Sequence, residues 1–269
     1  MSKNAATANT TSVNWSGYAV ETNIASPQAN AFTDVQATWI VPSLSPSADS
    51  KHNAYSSTWI GLDGDSSKTV EQIGIEQDYI KGVAVYYAWY EMYPKSLVKL
   101  DLVIQAGDTI SAEVKYLGNN TYQLSLDDLN DTSPQFTIQI ESSKPIRSSA
   151  EWIEESTGRL ADFNTVTFTN ASATATLPTG TITGPISDPA WQTEEITLVS
   201  KSGGVLAAPT PLSNHGSSFS INYEANSNKV ATLAVSDGAH ATLVALSGDA
   251  GEHFSHDEHP VFHDPFNLV

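Results

Sequence analysis

The chain contains no cysteine at all. Disulfide bonds, thiolate metal sites and a cysteine nucleophile are therefore excluded as sources of its stability or chemistry. Basic residues are also scarce, with 12 Lys and Arg against 30 Asp and Glu and a formal net charge of −18. A surface this acidic repels nucleic acid and anionic membranes, so we predict that neither is a partner. No apolar run approaches the ~20 residues that a membrane-spanning helix needs.

Most familiar catalytic signatures are missing as well. The sequence has no Asp-Thr-Gly or Asp-Ser-Gly, no Gly-x-Ser-x-Gly elbow, no His-Glu-x-x-His zinc motif and no phosphate-binding glycine loop. The segment Asp63-Gly64-Asp65 lacks the remainder of a calcium-binding EF-hand loop, and we interpret it as a turn. The sequence therefore predicts neither a metal nor a cofactor.

The excess of acidic residues has two interpretations. It is typical of an ordinary soluble surface, and it also suits a protein that works in acid. Near pH 3–4 carboxylates lose charge, because the ordinary pKa is roughly 3.9 for Asp and 4.3 for Glu. The small number of Lys and Arg then keeps positive self-repulsion modest. The N-terminus has no hydrophobic signal core, so we interpret it as a mature or recombinant start.

Short strand-like segments recur along residues 14–248, separated by Gly, Pro, Asn, Asp and Ser. This pattern predicts an all-β fold: a single-domain β-sandwich of two antiparallel sheets, of the jelly-roll or concanavalin type. One predicted strand is Lys99–Gln105, and helical periodicity is confined to Trp152–Leu160. Residues 1–13 are small and polar and predict a flexible lead-in. Residues 249–269 form a histidine-rich tail whose spacing matches no defined metal-ligand motif.

Four of the predicted strands carry chemically capable side chains on one face, because successive side chains of a strand point to opposite sides. The positions expected on that face are, strand by strand, Trp59, Gly61 and Asp63; Gln72, Gly74 and Glu76; Trp89, Glu91 and Tyr93; and Ser149, Glu151 and Ile153. Glycines leave room for another backbone, and aromatic side chains supply contact area with polar tips. Such a face can hold an extended peptide or a sugar chain. Taken singly, Trp59 and Trp89 are also compatible with sandwich core, and Glu91 with a surface carboxylate.

The order of these motifs resembles that of the glutamic peptidases, or eqolisins. The motifs are, in order, Asn14-Trp15-Ser16-Gly17-Tyr18, Trp59-Ile60-Gly61-Leu62-Asp63-Gly64, Gln72-Ile73-Gly74, Trp89-Tyr90-Glu91-Met92-Tyr93-Pro94, Ala150-Glu151-Trp152-Ile153 and Val166-Thr167-Phe168-Thr169-Asn170-Ala171. The resemblance implies an acid-active endopeptidase on a β-sandwich, with Gln72 and Glu151 as its catalytic pair. The residues that it implies as lining or supporting the substrate cleft are Trp59, Asp63, Gly74, Glu76, Trp89, Glu91 and Tyr93.

The chain departs from the family pattern in three respects, one of which is the histidine-rich tail, which has no counterpart in the family. Glu76 stands where the family typically has Asp, and the cysteines of the fungal members are missing, which looks like a bacterial or archaeal branch. The resemblance further implies polypeptide substrates, a monomer, no cofactor and no metal, a location outside the cell and insensitivity to pepstatin.

The implied mechanism uses Glu151 as general base on a water molecule and the Gln72 amide N–H as donor to the developing oxyanion. Two alternatives stay open from the residues. One is a jelly-roll glycoside hydrolase that uses Glu91 with Glu151 or Glu76. The other is a non-catalytic carbohydrate-binding module, which needs the aromatic residues but not Glu151.

Overall fold

The computed structural model describes residues 7–46, 52–131 and 135–225, together with the backbone of residues 234–235 and 242–243. Its elements are β1 Thr7–Ser12, β2 Trp15–Glu21, β3 Phe32–Ile40, β4 Ser57–Leu62, β5 Val70–Ile80, β6 Val83–Tyr93, β7 Val98–Lys99, β8 Thr109–Gly118, β9 Thr121–Asp128, β10 Phe136–Glu141, β11 Ser149–Glu155, β12 Thr165–Leu177, β13 Gly180–Pro185, β14 Gln192–Val199, β15 Val205–Pro209, a 3₁₀ turn Asn214–Gly216, β16 Phe219–Tyr223, β17 Ala234–Val235 and β18 Thr242–Leu243.

Strands β1–β16 follow one hydrogen-bonded path that folds into two facing layers, and β17 pairs separately with β18. The path runs β10-β9-β8-β3-β12-β16-β15-β14-β2-β11-β4-β5-β6-β7, with β13 beside β12 and β1 beside β14. Strands β3 and β8 of one layer face β4, β5 and β11 of the other. The pairing is antiparallel along this path, whereas β1 runs parallel to β14. The predicted all-β sandwich is confirmed.

The main hydrophobic core lies between the two layers. One layer contributes residues such as Ile73 and Trp152, and the other contributes residues such as Val114 and Phe168, all with no exposed surface. Because side chains alternate along a strand, the residues on either side of Ile73 and Trp152 point to the opposite face of their sheet. The main core therefore fixes which side chains of β5 and β11 share that outer face.

The segment Lys99–Gln105, predicted as a strand, forms one only at its first residue, in β7. Leu100 and Ile104 are 6% and 7% exposed and pack into the core, while Val103 between them is 87% exposed. Apolar alternation in this segment thus reflects a loop that inserts two side chains into the core, and the strand prediction was wrong beyond Lys99.

The segment Trp152–Leu160, predicted to form a helical turn or two, is strand through Glu155 and bends without a helix after it. Strand β11 continues through Glu155 and pairs with β2 on one side and β4 on the other. Backbone hydrogen bonds to two neighbouring strands leave no N–H or C=O free to close a helical turn there.

The N-terminal residues also differ from the predicted lead-in. Residues 7–12 of that segment form β1, in register with Thr193–Leu198 of β14. Small polar residues, among them three threonines, suit an edge strand with one side in water. The boundaries at residues 13 and 248 stay a prediction, and the histidine-rich tail lies outside the described residues.

No helix within the described ranges has the length and apolar character needed to span a bilayer.

Candidate functional site

Hydrogen-bonded neighbours place the two predicted catalytic residues in one row across the sheet. In the strand register Ala19 of β2 pairs with Glu151 of β11, and Glu151 pairs on its other side with Gly61 of β4. Gly61 pairs with Gln72 of β5, which in turn pairs with Glu91 of β6. Gln72 and Glu151 therefore lie two strands apart on one face, about 10 Å between Cα atoms at the usual strand spacing.

Gly61 is the only residue between them in this row, and it has no side chain to fill the space. A Cβ added at Gly61 would lie 3.1 Å from Cζ3 of Trp59 and 3.2 Å from Cβ of Gln72. The edge of the Trp59 indole thus borders the gap between Gln72 and Glu151. A glycine at this position leaves the two polar head groups free to approach a shared small molecule such as water.

The Gln72 amide is oriented by its cross-strand neighbour. Its Nε2 donates to Oε2 of Glu91 at 2.7 Å. Burial raises the pKa of Glu91 to about 7, and this hydrogen bond from Gln72 acts in the opposite direction. A primary amide carries two N–H groups, so one hydrogen of Nε2 serves Glu91 and the other is left for a second acceptor.

Glu151 is fully buried in a strongly acidic neighbourhood. Burial raises its pKa well above the ordinary value, the Ser149 hydroxyl opposes that rise, and Asp65, Asp63 and Glu21 add to it. No residue of the described ranges forms a well-shaped hydrogen bond to either carboxylate oxygen of Glu151. Buried acceptors of this kind usually bind ordered water.

The next row of the same face carries the two tryptophans. Trp59 pairs with Gly74, and Gly74 pairs with Trp89. A Cβ at Gly74 would lie 2.4 Å from the Thr58 carbonyl oxygen and 2.5 Å from Trp59 Cβ. The close approach expected at this glycine is therefore made by β4 of the protein itself.

Asp63 is occupied by the backbone of the segment that leads into β11. Its carboxylate accepts hydrogen bonds from the backbone N–H groups of Ile146, Arg147 and Ser148 at 2.8, 2.6 and 2.9 Å. The residue is 0% exposed and has a positive φ of 69°. In this structure Asp63 supports the start of the strand that carries Glu151, and both carboxylate oxygens of Asp63 accept hydrogen bonds from the backbone.

Glu76 and Tyr93 lie on the same face but in other rows. Glu76 pairs with Ser57 and Tyr87, four residues and roughly 13 Å along β5 from Gln72. Tyr93 pairs with Val70 and is half-buried. The sequence thus predicted the correct face for all these residues, while the register separates Glu76 from the Gln72–Glu151 row.

The face predicted to be open is closed in this structure. Glu151 is 0% exposed and Gln72 2%, and both tryptophans are fully buried. A second hydrophobic cluster fills the face, composed of Trp15, Ala19, Trp59, Val70, Tyr87, Trp89, Ile153 and Ile196. The expectation of an outward-facing groove is therefore not met, because aromatic side chains from several strands pack over the sheet.

Several neighbours of the pair were missed by sequence reasoning. Glu194 of β14 pairs with Ala19 of β2, and Ala19 pairs with Glu151. Glu194 therefore lies two strands from Glu151, on the side away from Gln72. Glu21 and Asp65 join this acidic group, since the charge of Glu194 raises the pKa of both. Glu155 was the one that sequence could have found, because it lies four residues after Glu151 on the same strand face.

The chain is thus a two-layer β-sandwich with a buried amide–carboxylate pair on the outer face of one sheet. The model of the Peptidase A4 family matches residues 13–208. The chain belongs to this family, the glutamic peptidases or eqolisins.

A curated relative and solved structures agree with this assignment. Aspergillopepsin-2 of Aspergillus niger is 34% identical over 130 residues, which are 44% of this chain and 46% of that protein. The chain thus matches about half the length of this relative. A structure of scytalido-glutamic peptidase with a transition state analog inhibitor has a TM-score of 0.62 at 22% identity and covers 78% of this chain and 98% of its own. Aspergilloglutamic peptidase from Aspergillus niger has a TM-score of 0.53 at 29% identity, covering 63% and 99%.

Proposed function

We propose that this protein is an acid-active endopeptidase that hydrolyses peptide bonds by direct attack of water. Glu151 is its general base, and Gln72 is the donor to the oxyanion. The observation that carries the proposal is the register that puts Glu151 and Gln72 on either side of Gly61, which itself adds no side chain between them.

The reaction follows from the chemistry of the two head groups. Ionised Glu151 takes a proton from the water while the water oxygen bonds to the carbonyl carbon. The free N–H of Gln72 Nε2 donates to the carbonyl oxygen as it becomes negative. Protonated Glu151 then gives its proton to the leaving nitrogen as the C–N bond breaks, which yields a carboxylic acid and an amine. General base catalysis contributes ~10²–10⁴-fold, and one oxyanion donor is worth roughly 3–4 kcal/mol.

An amide is a suitable oxyanion donor in acid because it has no proton to gain or lose over the working pH range. The hydrogen bond to Glu91 holds Gln72 in place, and at low pH the raised pKa of about 7 keeps Glu91 neutral. A neutral Glu91 still accepts at its carbonyl oxygen and adds no negative charge near the oxyanion.

Opening of the closed face is a requirement of this proposal. A peptide cannot reach Gln72 and Glu151 while both are buried, and burial is also the main cause of the raised pKa of Glu151. Opening that admits solvent with the substrate gives the peptide access to the pair. It also lowers the pKa of Glu151, because renewed hydration favours the ionised carboxylate.

Peptide substrates are supported by the relatives. SCP-B, a member of the eqolisin family, has been solved with the tripeptide Ala-Ile-His. We extend this substrate class to the present chain, together with a location outside the cell, action as a monomer and insensitivity to pepstatin. Insensitivity follows because the proposed pair is not two aspartates.

The test is a casein digest at pH 3–4, with and without pepstatin, followed by kinetics on a short peptide. Glu151→Gln and Gln72→Ala should each reduce kcat at least ~10²-fold in a folded protein. Glu154→Gln is the matched control, because Glu154 is a buried glutamate of the same strand that points to the opposite face and bonds to Thr58 and Gln77. It should keep near-normal activity.

Near-normal activity of either site variant would reassign the pair. A profile of kcat/KM centred near neutral pH would contradict acid action. Cleavage of polysaccharide rather than casein, with little effect of the Gln72 substitution, would favour the glycoside hydrolase alternative.

A further inference from the structure

The indole N–H groups of Trp59 and Trp89 both donate hydrogen bonds to residues of the adjacent cross-strand row. Trp59 Nε1 donates to Oε2 of Glu155 at 2.9 Å, and Trp89 Nε1 donates to Oγ of Ser57 at 3.0 Å. Glu155 and Ser57 are direct cross-strand partners between β11 and β4. One backbone pair therefore fixes the indole N–H groups of both rings.

Glu155 also contacts strand β2, which lies on its other side. Its register partner on β2 is Trp15, whose ring meets that of Trp59 edge-on at 5.0 Å between centroids. Its Oε1 accepts a longer hydrogen bond from Asn14 Nδ2 at 3.4 Å. Glu155 is 5% exposed, so its contacts with Trp59 and Asn14 are shielded from water.

The ring that Glu155 holds is the one that borders the gap between Gln72 and Glu151. Trp59 has its Nε1 on Glu155 and its Cζ3 beside Gly61, at opposite sides of the same indole. An indole is rigid, so the anchor at Nε1 determines where the Cζ3 edge lies. If the anchor is lost, rotation of the ring moves that edge toward or away from the gap.

We infer that Glu155 is a positioning residue of the peptidase site, which acts through Trp59 to set the width of the gap between Gln72 and Glu151. This inference rests on the proposed function for its catalytic consequence. Misplacement of reacting groups by about 1 Å can cost ~10²-fold in rate, so a shift of the ring edge has a measurable effect. Glu155 lies four residues after Glu151 on the same strand face, roughly 13 Å along β11, so we assign it no direct part in proton transfer.

The kinetic test is a double-mutant cycle between Glu155 and Trp59. Glu155→Ala and Trp59→Phe each remove the anchor and should each lower kcat/KM by ~10–100-fold, mostly in kcat. The double variant should be no worse than about twofold below the lower single variant, since the two changes break one interaction. Glu155→Gln keeps an acceptor oxygen and should stay within about threefold of the wild type.

Matched controls separate positioning from general destabilisation. Glu154→Ala removes an equally buried glutamate of the same strand that bonds to Gln77 and Thr58 on the opposite face. It should lower thermal stability without lowering kcat of the folded protein. Multiplicative losses in the Glu155–Trp59 cycle would overturn the inference, as would a Glu155→Gln variant as damaged as Glu155→Ala.

A second measurement is independent of any enzymatic activity. The indole N–H of Trp59, assigned in a ¹H–¹⁵N spectrum by its loss in Trp59→Phe, should be protected from hydrogen exchange in the wild type and in Glu155→Gln. Protection should fall at least tenfold in Glu155→Ala and stay unchanged in Glu154→Ala. Unchanged protection in Glu155→Ala would show that Glu155 does not hold the indole N–H of Trp59. If the anchor is confirmed in a protein that cleaves no peptide, the proposed function fails, and the catalytic role inferred here for Glu155 fails with it.

Discussion

Glu151 has an amide on one side of it in the sheet and carboxyl groups on the other. Across Gly61 the row continues to Gln72 and then to Glu91. Across Ala19 it continues to Glu194. The first polar residue on each side is equally distant in strand spacing, yet it is an amide on one side, Gln72, and a carboxyl group on the other, Glu194.

The acidic side consists of Glu194, Glu21 and Asp65. Burial is the first cause of the raised pKa of both Glu21, at about 7, and Asp65, and repulsion from Glu194 adds to the rise in both. Asp65 and Glu21 both raise the pKa of Glu151, so their effect on Glu151 is to oppose its ionisation. The amide side supplies an N–H donor at every pH, so we assign oxyanion stabilisation to the amide side and charge regulation to the acidic side.

The largest expected effect is a contrast between the two partners of Glu151. Gln72→Ala should reduce kcat at least ~10²-fold, because the oxyanion loses its donor. Glu194→Gln should reduce kcat less than about tenfold, because it changes only the electrostatic neighbourhood of the base. The measurement is kcat on a short peptide at acid pH, with near-UV circular dichroism to confirm folding.

The reverse ranking would move the reactive pair to the acidic side. A Glu194 variant that is inactive beside an active Gln72 variant would indicate two carboxyl groups at work, as in glycosidases. Polysaccharide substrates would then be tested first.

The second contrast concerns the small residues that separate Glu151 from its neighbours. Gly61→Ala adds a Cβ at 3.1–3.2 Å from Trp59 Cζ3, Gln72 Cβ and Val70 Cγ1, which is tight but relieved by small shifts. It should lower kcat/KM about tenfold, because the gap that receives water becomes narrower. Ala19→Gly is the matched change on the acidic side and should cost about 0.5–1 kcal/mol of stability with little change in rate.

Kinetics and urea unfolding of both variants check this contrast. Equal kinetic losses in both variants would mean that the gap at Gly61 has no special role. An unfolded Gly61→Ala protein is not expected, since the nearest atoms belong to side chains. At Gly74 the neighbours include the Thr58 carbonyl oxygen, and alanine there should be far more damaging to stability.

Alternation predicted the faces of the site strands correctly, because it is a local property of each strand. Gln72, Trp59 and Glu151 share a face as the sequence indicated, while Ile73 and Trp152 enter the main core. The row that joins Glu151 to Gln72 was not predictable in this way. It depends on the pairing of β11 with β4, in which Glu151 meets Gly61 from 90 residues earlier in the chain, and local patterns carry no signal for that register.

The closure of the outer face was missed for a related reason. A polar residue between apolar ones predicts a half-exposed sheet, and the cover comes from distant strands. Trp15 of β2 packs edge-on against Trp59 of β4, and Ile196 of β14 joins the same cluster. Likewise, the apolar residues Leu100, Val103 and Ile104 carried no information that they lie in a loop rather than a strand.

The smallest expected effect concerns stability rather than rate, and it separates the acidic side from the amide side by pH. The pKa of Glu21 is raised by burial from 4.5 to about 7. Between these two values the folded protein holds a proton that the unfolded chain releases, so unfolding becomes easier as pH rises. The stabilisation is fully present below about pH 4.5 and is lost as pH approaches 7.

Glu21→Gln removes this ionisation while it keeps the size of the side chain. The variant should match the wild type at pH 4 to within about 0.5 kcal/mol and exceed its unfolding free energy at pH 7 by about 1–3 kcal/mol. Urea unfolding at the two pH values measures the difference, and Glu141→Gln, which changes an exposed carboxylate, is the control with no pH-dependent gain.

Glu91→Gln should show a similar gain at pH 7, because burial also raises the pKa of Glu91 to about 7. Only the Glu91 variant should lose activity as well, since its contact orients Gln72. A Glu21 variant that loses as much activity as the Glu91 variant would mean that the acidic side takes part in the reaction, and the division between the two sides of Glu151 would be wrong.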